Sequence, residues 1–107
     1  MAMKIKQGDA YAIPVAIEWQ EEPLNTADVA AIEFVIGGIR KLYPGEVSYD
    51  AADGYFYLPL TQADTFSFEA DSSVELDIRV KFSGGDVEGI KKILNIPVID
   101  AISEEVL

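Results

Sequence analysis

Between Val74 and Phe82 the chain reads VELDIRVKF, and apolar and charged residues alternate without interruption. That period of two belongs to a β-strand with one buried and one solvated face. A helix would scatter the two classes around its circumference. Val74, Leu76, Ile78, Val80 and Phe82 are expected to face a core. Each such side chain, fully buried, contributes roughly 1.5–3 kcal/mol. Glu75, Asp77, Arg79 and Lys81 face water or a partner. The strand, read from Ser73 to Phe82, ends at a hairpin turn on Gly84-Gly85 or Gly85-Asp86.

The rest of the chain repeats this grammar. From Tyr11 to Trp19 the odd positions Tyr11, Ile13, Val15, Ile17 and Trp19 are large and apolar, which predicts one long half-buried strand. Pro14 has no N–H to donate and belongs on an edge or at a bulge. Gln20 to Thr26 is a polar connection. A strand is expected over Val29 to Ile36, with Ile32, Phe34 and Ile36 on one face. Ala30-Ala31 leaves a short helix as the competing reading. Gly37-Gly38 punctuates it, Ile39 to Tyr43 forms a second arm, and Pro44-Gly45 turns the chain. Short strands follow over Glu46 to Tyr49 and Tyr55 to Leu60, separated by a turn at Asp50 to Gly54. Thr61, with an acid three residues on at Asp64, caps one helical turn across Gln62 to Phe66. The last strand is expected from about Val87 to Ile99. Leu94, Ile96 and Val98 alternate inward, and a one-residue bulge near Gly89 or Lys91 re-phases the strand. Residues 101–107 suggest a further helical turn. About seven short strands at such spacing predict a single all-β domain over 1–107, an antiparallel Ig-like β-sandwich with one short helical turn.

Composition narrows the chemistry. Eight basic and 19 acidic residues leave a net charge of −11. This disfavours nucleic acid and anionic membrane surfaces as partners, since both are recognised through Lys and Arg. The chain has no histidine and no cysteine, which removes the usual general bases, thiol nucleophiles and zinc or copper ligands. No catalytic residue, metal site or cofactor is expected. Glu18, Glu21 and Glu22 beside Trp19 are the one plausible carboxylate set for sugar chemistry, although Trp19 shares the phase of the core positions. The Asp50 to Gly54 loop has acids and a glycine, yet lacks the ligand spacing of a calcium loop and reads as a plain turn. Lys91-Lys92 reads as a solvated edge. Tyr43, Tyr49, Tyr55 and Tyr57 crowd a short span and are further candidates for partner contact. The N-terminus carries no apolar stretch of the signal-peptide kind.

Three longer stretches, KIKQGDAYAIPVAI, LPLTQADTFSF and VELDIRVKFSGGDVEGIKKILNIPV, together with the closing ISEEVL, resemble small tail-associated proteins of phages and prophages of Gram-positive hosts. Their order is similar to that of the Ig-like N-terminal domain of phage baseplate upper proteins. The resemblance implies a non-enzymatic structural or assembly component of a tail or baseplate. Such a component is made in the host cytoplasm, is carried in the virion, and contacts other virion structural proteins or copies of itself. A carbohydrate-binding or adhesion module is the alternative, and it requires an exposed aromatic platform.

Overall fold

The computed structural model describes residues 5–69, 71–90 and 94–99. Strands β1 (Ile5–Lys6), β2 (Tyr11–Val15), β3 (Glu18–Trp19) and β4 (Glu22–Pro23) lead through a 3-10 turn (Thr26–Asp28) into β5 (Val29–Ile36) and β6 (Ile39–Tyr43). Next come β7 (Ser48–Asp50), β8 (Tyr55–Leu60), the helical turn α1 (Gln62–Phe66), β9 (Ser73–Phe82), β10 (Val87–Gly89) and β11 (Leu94–Ile99).

The larger sheet runs β1-β11-β9-β5-β6, and β10 also pairs with β9; the smaller sheet runs β2-β8-β7. All pairings are antiparallel except β1 with β11. With β2, β8 and β7 as B, E and D, and with β5, β6, β9 and the β10–β11 line as C, C′, F and G, this is the order of an immunoglobulin-type sandwich. Leaving out the two-residue strands and counting β10 and β11 as one line, seven strands remain among the described residues, in keeping with the turn spacing.

Both sheets feed one core. Ile13, Val15, Phe56, Leu58 and Leu60 from the smaller sheet meet Ile32, Phe34, Ile36, Leu76, Ile78 and Val80 from the larger. On β9 the alternation holds from Val74 to Val80, with apolar residues buried and charged ones exposed. Phe82 is half-buried and packs on Trp19, ring centroids 5.2 Å apart.

Several expectations change. The run from Tyr11 to Trp19 is two strands, and Glu18–Trp19 folds back on Glu22–Pro23 as a small ribbon closed by Leu24 N–H donating to Ile17 C=O at 3.0 Å. Tyr11 shares the inward phase yet is 36% exposed, because it lies at the strand's end. The Ala30-Ala31 signal marks a bulge: the register slips between Val29 and Ala31, and the strand continues. In the last strand, five steps from Gly89 to Leu94 oppose three from Arg79 back to Leu76. The bulge expected near Gly89 or Lys91 falls against residues 91–93, which lie outside the described residues. The inward alternation of Leu94, Ile96 and Val98, the Lys91-Lys92 edge and the turn at 101–107 lie outside the described residues.

Pro14 sits on edge strand β2, as its missing N–H demands. On edge strand β6, the turn after Tyr43 folds over the open flank. Leu42 C=O accepts from Glu46 N–H and Val47 N–H, and Leu42 N–H donates to the Glu46 carboxylate. The edge is thereby closed to further strands at that point. Thr61 and Asp64 form the expected capping box of α1. The buried Thr65 hydroxyl accepts from Gly8 N–H at 2.9 Å and lies 2.8 Å from Asp9 C=O, tying α1 to the N-terminal turn.

Candidate interaction surfaces

Glu75, Asp77, Arg79 and Lys81 project together from the outer face of the larger sheet, all exposed. They do not stand alone. Register places Arg79 opposite Glu33 and Lys81 opposite Ala31 on β5, with Val87 of β10 on the other flank of Lys81. The Glu33 carboxylate takes the Arg79 guanidinium at 2.6 Å and the Arg40 guanidinium at 2.5 Å. The hydrogen bonds from Arg40 and then Arg79 hold the Glu33 carboxyl below its ordinary range. The bridge therefore ties β6, β5 and β9 together across their outer face. Glu33, Arg40 and the 55%-exposed Val87 are part of this surface. Their signal was weak because cross-strand neighbours are not sequence neighbours.

The four tyrosines divide. Tyr43 meets Phe56 edge-on with centroids 5.1 Å apart, and Tyr49 packs on the same ring at 4.6 Å. Both are built into the rim of the core. Tyr55 and Tyr57 belong to the outer face of the smaller sheet, where Tyr57 lies between Pro14 and Ser48 in register. Tyr55 is 40% exposed. The Tyr57 hydroxyl donates to the Asp53 carboxylate, and that hydrogen bond pushes its pKa up to about 12. The Asp50 to Gly54 loop spends its acids on itself. Asp50 Oδ1 accepts from Ala52 N–H, Asp53 Oδ1 accepts from Tyr55 N–H, and Gly54 N–H donates to Asp50 C=O. It is the hairpin turn expected. Among the described residues no group of three or more acids is placed to hold a metal ion.

A third surface takes in Trp19 with Glu18 and Glu22 of the carboxylate set read from the sequence, and adds Asp28, Phe82 and Glu88, which the sequence reading did not join to it. The 3-10 turn that follows the β3–β4 ribbon and the turn between β9 and β10 meet where Ser83 N–H donates to Asp28 C=O at 2.9 Å. Beside this junction opens a cleft of about 720 Å3 walled by Trp19, Phe82, Glu22, Pro23 and Asp28 among others. A second, of about 430 Å3, shares Trp19 and Gln20 with it and is otherwise lined by Glu18, Glu88, Gly89 and Ile90. Trp19 is half-buried and belongs to both core and clefts, a dual role that strand phase alone does not reveal. Elsewhere, burial pushes the Asp64 carboxyl up, but the Thr61 backbone N–H and the Lys41 ammonium, 3.3 Å away, outweigh it and leave it below the usual range.

Strand order, corner helix and core define an all-β, immunoglobulin-type sandwich, a fold that hosts many unrelated functions. No family model, curated protein or solved structure matches this chain.

Proposed function

We propose that the protein is a non-enzymatic structural or assembly component of a phage or prophage tail or baseplate, acting through protein–protein contacts on the outer face of its larger sheet. The sequence resemblance supplies the context. One observation carries the contact: along β9 the exposed charges run acid, acid, base, base from Glu75 to Lys81. Such a row is self-complementary. A second copy related by a two-fold axis would set Lys81 and Arg79 against Glu75 and Asp77. The same row fits other virion proteins of matching pattern. Clamped by Glu33, Arg79 is presented with little rotamer entropy left to lose.

The test has two parts. Mass spectrometry of purified particles should find the protein; its absence from particles and from assembly intermediates would remove the virion reading. Glu75→Lys with Asp77→Lys should weaken assembly, read by sedimentation and by incorporation, and unchanged assembly would sink the assignment of this face. The adhesion reading draws on Tyr55 and Tyr57 on the outer face of the smaller sheet. It predicts glycan binding that Tyr55→Ala abolishes.

A further inference from the structure

The clefts at the ribbon end combine features the outer faces lack. They share the Trp19 indole as a common wall, and Phe82 packs against it. Four acidic residues line them, Glu22 and Asp28 in the larger and Glu18 and Glu88 in the smaller, with no Lys or Arg among the described residues of either lining. None of the salt bridges among the described residues involves these four acids. Elsewhere the protein does pair its acids: Glu33 holds two arginines and Asp64 holds Lys41. An aromatic face flanked by uncommitted carboxylates suits a cation, since the ring quadrupole and the carboxylates attract the same charge. A guanidinium fits best, because it stacks on indole and donates in pairs to carboxylates.

We propose that this end of the sandwich is a docking site for a basic polypeptide segment, which inserts an arginine side chain against Trp19 and between Glu22 and Asp28. Charge complementarity names the occupant: the net charge of −11 draws a basic segment in, and the clefts fix where its cation comes to rest. The site lies apart from the β9 face and does not depend on the tail assignment.

Trp19 is the only tryptophan, so its fluorescence reads the site directly. The probe is a short capped peptide with two arginines separated by glycines. It is titrated into the full chain beside an otherwise identical citrulline peptide, which keeps the shape and loses the charge. The arginine peptide should give a saturable change that the citrulline peptide does not. Glu22→Gln with Asp28→Asn should weaken binding about tenfold or more, the loss expected for a charge-assisted pair. Glu69→Gln with Asp71→Asn removes the same charge elsewhere and should change it less than about twofold. Both variants alter exposed side chains, and circular dichroism checks that each still folds. Absence of a saturable change, an equal response to citrulline, or equal weakening by the two double variants would each overturn the proposal.

Discussion

Gly37 and Gly38 form the two-residue turn between β5 and β6, with φ of +54° and +85°. These are the signs of a type I′ hairpin. Alanine at either site must hold a left-handed backbone, at about 1–2 kcal/mol. A smaller gain of roughly 0.4–1 kcal/mol offsets this, because alanine restricts the unfolded chain. Gly38→Ala should therefore cost no more than about 1.6 kcal/mol, for a Cβ there meets nothing within 4 Å. At Gly37 the added Cβ falls 2.6 Å from the Phe68 ring and 3.2 Å from Val74. Phe68 is 3% exposed and belongs to the buried core. Overpacking of this kind adds about 1–3 kcal/mol. Urea denaturation of both variants should place Gly37→Ala below Gly38→Ala by that margin at an unchanged slope. In a Phe68→Leu background the difference should shrink, as coupled neighbours require. Equal destabilisation, or a costlier Gly38→Ala, would refute the claim that the ring, rather than the backbone, sets the difference.

Thr65→Val keeps the shape but removes the hydroxyl that bonds Gly8 N–H and Asp9 C=O. It should cost about 1–3 kcal/mol by urea denaturation, the penalty for stranding buried polar groups; a neutral result would mean that water replaces the hydroxyl. For Tyr57, the hydrogen bond to Asp53 favours the neutral phenol and raises its pKa to about 12 in the folded state. The stabilisation this contributes is present below pH 10 and is lost as pH rises from 10 towards 12. Asp53→Asn should move one tyrosine of the ultraviolet titration back towards 10, and an unchanged profile would show that Asp53 does not set the shift.

The strands, their turns and the capping box at Thr61 were legible because each is a local property. The period of two in Val74 to Phe82 needs only backbone geometry, and Pro14 needs only its missing N–H. The legible part stopped where partners come from distant segments. Arg79 was assigned to an exposed face, but its clamp by Glu33 depends on which strand lies beside β9. The division of the tyrosines depends on Phe56, which gathers Tyr43 and Tyr49 and leaves Tyr55 and Tyr57 outside. Where the extended reading of Tyr11 to Trp19 failed, β3 found its partner in Glu22–Pro23, through a tight turn at Gln20 and Glu21 with φ of +52° and +67°. Neither residue advertises that conformation, which glycine or asparagine usually supplies.

By itself, then, the sequence determined an all-β chain with an apolar inner face, the positions of its main turns, and a chemistry without histidine or cysteine. Alternation and turn residues act over a few positions and survive any arrangement of the strands. The clefts around Trp19 and the bridged charges on the outer sheet were decided only by tertiary structure. Asp28 and Ser83 meet across the ribbon end, and Glu33 and Arg79 across two strands, because burying one shared core brings those strands and loops together.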